Sequence, residues 1–185
     1  MRVERINNIN EVIEIPIPES YRDCWTLVRS DYARYRADKA SILRILIYAF
    51  INYNFRFCFL LRMSKYQGFL FLYYRWRLGV FNKKMGMSFS RNVKIGYSLK
   101  VVHSIGIIVN ATAVIGSNCT LHQLTTIGSD MDHAAIIGDN VYIGPNVCLV
   151  ENVHVGSNVK IGAGAVVVND IPSGVTAVGV PAKVR

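Results

Sequence analysis

Residues 137–161 read IGDNVYIGPNVCLVENVHVGSNVKI, and the spacing within them decides the fold. Aliphatic residues recur every six positions, at Ile137, Ile143, Leu149, Val155 and Ile161, and again at Val167. Gly138, Gly144, Gly156 and Gly162 directly follow four of them. An amphipathic helix repeats every ~3.6 residues and a strand every ~2, so neither gives a strict six. A fixed short period marks a repeat architecture, in which each unit buries its apolar residue only by stacking on the next.

Upstream, the same period runs in two further frames. The first is Ile95, Val101, Ile107, and the second, shifted by two residues, is Val109, Ile115, Leu121, Ile127. Ile137 then follows Ile127 after ten residues instead of six. Four extra residues therefore leave the coil between Asp130 and Ile136, as an outward loop containing His133. Downstream, the array ends near Asn169–Asp170, and the Gly and Pro signals of SGVTAVGVPAKVR stop further coils.

The N-terminal half is different. Residues 1–90 hold 15 Lys+Arg against 7 Asp+Glu, whereas residues 91–185 hold 6 against 5. No acidic residue occurs from Lys39 to Ser129. Residues 1–18 lack a clear pattern, and Pro16 and Pro18 oppose a helix there. Ser20 is placed to cap a helix through YRDCWTLVRSDYARYRADK, with Trp25, Val28 and Tyr32 on one face. Residues 42–80 are apolar, aromatic and basic, with Gly68 between two helical stretches. Their longest uncharged run, Ile45–Phe55, is 11 residues, whereas a helix crossing a bilayer needs about 20. Two readings of this segment stand: packing against the coils, and a peripheral contact with an anionic membrane surface. Nucleic acid fits less well, because the cations are interspersed with Phe, Leu and Ile. Four scattered cysteines and an N-terminus without an apolar signal core point to reduced thiols and a cytoplasmic chain, peripheral at most to the inner face of the membrane. Cys148, inside the array, reads as a small apolar filler.

The chemistry-bearing residues lie where the period breaks. His103 is the third residue of its hexad, off the inward position, and precedes an irregular stretch. His133 sits on the inserted loop, whereas His122 and His154 occupy regular hexads and read as solvated surface.

The stretches VVHSIGIIVNATAVIGSNCTLHQLTTIG (101–128), IIGDNVYIGPNV (136–147) and KIGAGAVVVNDIPSGVTAVGVPAKV (160–184) resemble the serine acetyltransferase branch of the hexapeptide-repeat acyltransferases. The resemblance covers about residues 88–185. DYARYRADK (31–39) and the basic segment after it are similar to short surface-polysaccharide O-acetyltransferases. The fold so implied is α+β: a helical, basic and apolar region over residues 1–90, then a left-handed parallel β-helix over 91–185, with three hexads per triangular coil. A homotrimer is implied, because sites in this family are shared between subunits.

The activity implied is acetyl-CoA-dependent O-acetylation of a hydroxyl, with His103 as general base, His133 as a second, substrate-binding histidine, and no metal. Gly144, Ala163 and Gly164 would line the path of the pantetheine arm, and Lys160, Lys183 and Arg185 would meet the CoA phosphates. Three positions depart from the serine enzymes. Val102 stands where an Asp precedes the catalytic His, Ser88 or Ser90 where a second Asp orients it, and Pro145 where an alanine is found. Asp132 on the loop is then a candidate to orient His103 or bind substrate. Val102 removes a carboxylate that an acceptor ammonium would want, which favours a sugar hydroxyl, in a capsule, exopolysaccharide or O-antigen precursor, over free serine. The alternatives are a true serine acetyltransferase and a non-acyltransferase solenoid such as a γ-class carbonic anhydrase. Histidine separations of 19, 11 and 21 residues fit the zinc site of that last class poorly.

Overall fold

A computed structural model of the chain describes residues 1–38, 40–130 and 133–185. The first 17 residues, unpatterned in the sequence reading, form an antiparallel hairpin of β1 (Arg2–Asn8) and β2 (Glu11–Ile17). Ile13 and Ile15 alternate inward and pack with Val114, and Ile136 lies against them. Pro16 is tolerated because it lies on a two-stranded edge, where a missing N–H costs little.

Four helices follow: α1 (Tyr21–Ala33), α2 (Ile42–Ile51), α3 (Tyr53–Met63) and α4 (Phe71–Lys84). The Ser20 hydroxyl accepts from the Asp23 N–H at 3.2 Å, the cap expected at that position. Val28 and Tyr32 of the expected face are buried, and Trp25 packs against the same core. The uncharged run is cut earlier than its charges suggest. Asn52 ends α2, and its side chain caps α3 by accepting from the Phe55 N–H at 2.9 Å. From Phe57 to Met63 every residue of α3 is buried, so α3 is the axis of the helical layer. By contrast, α2 buries only Ile45 and Ala49, and α4 only Leu78 and Phe81.

From Ser88 the chain winds into short parallel strands on three faces. The first face stacks β4 (Lys94–Ile95), β7 (Val114–Ile115), β10 (Ile136–Ile137) and β13 (His154–Val155). The second stacks β5 (Lys100–Val102), β8 (Thr120–His122), β11 (Tyr142–Ile143), β14 (Lys160–Ile161) and β16 (Thr176–Val178), with β17 (Lys183–Val184) folded antiparallel onto β16. The third stacks β3 (Ser88–Phe89), β6 (Ile108–Val109), β9 (Thr126–Ile127), β12 (Cys148–Leu149) and β15 (Val166–Val167). This is the α+β architecture expected, a helical region followed by a left-handed β-helix.

Each regular hexad buries two side chains, the last residue of the strand and the one two before it, as in Val141 and Ile143. That pattern corrects one frame. Ile107 is not the third member of the series begun at Ile95; it is the leading buried residue of the rung that ends in Val109. The two extra residues therefore fall between Val101 and Ile107, in the bend that contains His103. Cys148 is also corrected. It occupies the outward position of β12, half-buried, rather than filling the interior.

Helices and coils are joined by one buried ion pair. Nε and Nη2 of Arg62 donate to Asp31 at 2.8 and 3.0 Å, and both residues are fully buried. The remaining Arg62 donors reach the carbonyls of Ile95 and Gly96, and Asp31 accepts from the Leu99 N–H at 2.8 Å. Every polar atom of the pair thus finds a partner, which a charge removed from water requires.

Candidate active site

His103 lies at the corner between the second and third faces, with φ +52°. Positive φ is uncommon for residues with a side chain, though His is among the types found there more often, and here bonds on either side fix the bend. Five bonds to three residues of the helical layer, Tyr35, Asn54 and Met85, do this. The Tyr35 phenol donates to the Val101 carbonyl at 2.7 Å and accepts from the Val101 N–H at 2.9 Å. Asn54 Oδ1 accepts from both the N–H and the hydroxyl of the buried Ser104, at 2.8 and 3.2 Å. The Met85 carbonyl, at the end of α4, accepts from the Gly106 N–H at 3.0 Å. Segments either side of His103 are pinned, and the imidazole is left exposed.

His122 is the residue the sequence reading missed. It pairs with Val102 in the β5–β8 ladder, one coil above the bend. Its ring lies 5.0 Å from that of Tyr142, and it is half-buried rather than freely solvated. Burial lowers its pKa, with smaller contributions from His103 and Lys100. Next to it, Gln123 Oε1 is buried with no hydrogen-bond partner among the described residues. A hexad count cannot find such a pair, because register between coils depends on the length of the bend at 103–106. His154 is also not free surface: its Nδ1 lies 3.2 Å from Asn8 Oδ1 of the hairpin.

His133 is exposed on the loop between β9 and β10, at the corner between the third and first faces. Its N–H donates to Ser129 Oγ at 2.8 Å, and its carbonyl accepts from the Asn152 N–H at 2.6 Å. Within one chain, His103 and His133 therefore occupy different corners, at opposite edges of the third face. Asp132 lies outside the described residues.

The residues read as a pantetheine path fall on the His103 corner. Its left-handed positions are His103 and Gly106 in the first coil, then Leu124, Asn146 and Gly164, one in each later coil. Coils stack about 4.8 Å apart, so the column from His103 to Gly164 rises about 14 Å. Gly144 and the exposed Ala163 lie on it. A Cβ on Gly144 would stand 2.9 Å from the Ala163 nitrogen, so stacking alone already demands glycine there. Lys160 and Arg185 flank Thr176 in the second face: Lys160 pairs with Thr176, and the Arg185 N–H donates to the Thr176 carbonyl at 2.8 Å. Lys183 and Arg185 border a shallow cleft of about 380 Å³ under the C-terminal tail.

A larger cleft, about 630 Å³, lies between the end of α1 and α2, lined by Tyr32, Arg36, Asp38, Arg44 and Tyr48 among others. It adjoins the segments that carry Tyr35 and Asn54 to the His103 bend. Asp38 accepts from the Tyr32 phenol at 3.2 Å and pairs with Arg44 at 3.3 Å. The sequence reading counted no acid between Ser88 and Asp130 as available near His103. The acid in this cleft, Asp38, belongs to the DYARYRADK stretch already singled out. Among the described residues, no three His, Cys, Asp or Glu side chains converge as metal ligands.

These features define the class: a left-handed hexapeptide-repeat solenoid with a helical layer buttressing one corner. A family model described as bacterial transferase hexapeptide (six repeats) matches residues 134–169. The chain is similar to serine acetyltransferases in sequence and in fold. It is 38% identical over 106 residues to the mitochondrial serine acetyltransferase 3 of Arabidopsis thaliana, covering 55% of this chain and 27% of that protein. It is 31% identical over 103 residues to the serine acetyltransferase of Synechococcus elongatus, covering 54% and 42%. Thus the chain spans less than half the length of these curated relatives. Among solved structures, the Neisseria gonorrhoeae serine acetyltransferase superposes with a TM-score of 0.72 at 29% identity, over 89% of this chain and 67% of that one. The soybean apoenzyme superposes with a TM-score of 0.69 at 27% identity, over 88% and 69%.

Proposed function

We propose that the chain is an acetyl-CoA-dependent O-acetyltransferase with His103 as general base. The observation that carries this is the exposed imidazole on a left-handed bend braced by bonds from the helical layer. In the step proposed, neutral His103 takes the proton of an acceptor hydroxyl as the oxygen attacks the thioester carbon of acetyl-CoA. The tetrahedral intermediate then collapses, the C–S bond breaks, and the CoA thiolate leaves with the proton returned by the imidazolium. A positioned general base contributes about 10²–10⁴-fold in rate. The acetyl-CoA arm would lie along the column from His103 to Gly164, beside Gly144 and Ala163. Lys160, Lys183 and Arg185 would face its phosphates, and Gln123 Oε1 would receive a donor from ligand or neighbouring subunit.

Serine is the leading acceptor. The relatives named above are serine acetyltransferases. The sugar reading that the sequence favoured becomes the second one. It retains the support of Val102, which removes a carboxylate next to His103. A homotrimer in which His133 of one subunit approaches His103 of the next completes the proposal, with Asp132 beside it on the loop.

Thiol release from acetyl-CoA, measured with serine and with a panel of sugars and sugar phosphates, tests both readings. Serine-dependent release that falls about 10²–10⁴-fold in His103→Ala is expected. Release that depends on sugar alone would transfer the proposal to the second reading. Full activity in His103→Ala would falsify the role of that residue.

A further inference from the structure

The outer faces of α2 and α4 are unusually apolar for a water-exposed surface. Phe50 of α2 is 79% exposed and Leu72 of α4 73%, Leu43, Ile47 and Trp76 join them, and Phe69, just ahead of α4, is 87% exposed. The two helices form one surface, because Leu46 and Phe50 of α2 share a groove with Tyr73 and Arg77 of α4. Large contiguous apolar patches on a folded chain mark a partner surface rather than ordinary solvent contact.

Cations frame this surface. Arg56 lies over the Phe50 ring and donates to the carbonyls of Ala49 and Phe50 at the end of α2. Arg77 lies over Trp76, and Arg75 and Lys83 line a second groove with Leu72 and Val80. From Ile42 to Lys84 the sequence contains no Asp or Glu. At 10 and 14 residues, α2 and α4 are about 15 and 21 Å long. Neither reaches the ~20 residues that a spanning helix needs, and among the described residues no helix is long and apolar enough to cross a membrane. What remains is a pair of short helices lying in an interface, apolar side chains down and Arg, Lys, Tyr and Trp at headgroup depth.

We infer that α2 and α4 dock the protein on an anionic phospholipid bilayer, inserting Leu43, Phe50, Leu72 and Trp76 between Arg-bound headgroups. Charge decides between this occupant and a second copy of the chain. Two copies meeting face to face through this patch would set Arg against Arg with no carboxylate to pair them, whereas anionic headgroups supply the missing negative charge. The inference extends the membrane reading of residues 42–80 and does not depend on the acceptor.

Co-sedimentation of the full-length chain with sucrose-loaded vesicles tests it. Vesicles of phosphatidylcholine with about a third phosphatidylglycerol are expected to carry the protein down, and neutral phosphatidylcholine vesicles to carry far less. Raising salt to about 0.5 M should weaken binding without abolishing it, because the apolar contribution is not screened. The pair Phe50→Glu/Trp76→Glu should lower the partition coefficient about tenfold or more, while its circular dichroism melt and its vesicle-free thiol release stay as in the parent. These controls separate loss of docking from loss of fold or of catalysis. The inference is overturned if the parent stays in the supernatant with anionic vesicles, or if the paired substitution leaves sedimentation unchanged. It is equally overturned if the parent is larger than a trimer by light scattering and the substitutions split that assembly, since the face is then covered by a second copy.

Discussion

At the scale of single residues, the folded environment sets the properties that composition cannot. Lys65 donates to the carbonyls of Arg91 and Val93, and its pKa is lowered to about 7 by burial, with Arg62 and Arg91 adding repulsion. Its ordinary value is 10.5, so between about 7 and 10 the unfolded chain holds a proton that the folded chain lacks. Stability contributed by this group therefore rises with pH across that window. A melting series from pH 7 to 9 should show the rise, and Lys65→Met should flatten it. Above pH 9 the sign reverses. Burial pushes Cys24 up to about 11 and Cys58 and Cys119 up to about 12, so those thiols stay protonated in the fold but ionise when it opens. His103 belongs to the same lesson. Its chemical type and its irregular hexad were legible in the sequence, but its neighbours Tyr35, Asn54 and His122 were not, because they lie 68, 49 and 19 positions away.

At the scale of elements, the six-residue period reports the inward side chains and the corners report themselves through Asn. Asn118, Asn140 and Asn158 all take positive φ at the corner between the first and second faces, where a short polar side chain tolerates the left-handed region. Their amides also form a ladder, Asn118 to Asn140 at 2.6 Å and Asn140 to Asn158 at 3.1 Å. Helices are harder to read, because their amphipathic stripe does not say which surface covers it. The buried Arg62 of α3 is an instance: in sequence it looks like one more cation of a basic segment. Replacing Asp31 by Asn strands its guanidinium in the interior, and should cost about 3–5 kcal/mol in denaturant unfolding. Replacing Asp31 and Arg62 together by apolar residues of similar volume should cost less than that single change, since no uncompensated charge remains. A double substitution as damaging as the single one would argue against the charge account.

At the scale of the whole molecule, the two histidines proposed to act together are held apart within one chain. His103 and His133 stand on different corners, so a shared site needs a neighbouring subunit. Co-expressed His103→Ala and His133→Ala chains should recover activity that neither shows alone, up to about a quarter of the parent for random mixing in a cyclic trimer. Inactivity of the mixture, with mixed assemblies confirmed by tag pull-down, would place each site within one chain. The sequence by itself determined the solenoid, because a strict period of six with Asn and Gly at the turns has one packing solution, each rung covering the last. It also marked both breaks in that period, since an insertion into a stacked coil can only leave outward. Only the tertiary structure decided that the first 17 residues pair as a hairpin on the first face, that α3 is buried while α2 and α4 are not, and that His122 stands near the His103 bend. Those outcomes depend on contacts between residues far apart in the chain, and a local pattern carries no record of which surface will arrive to cover it.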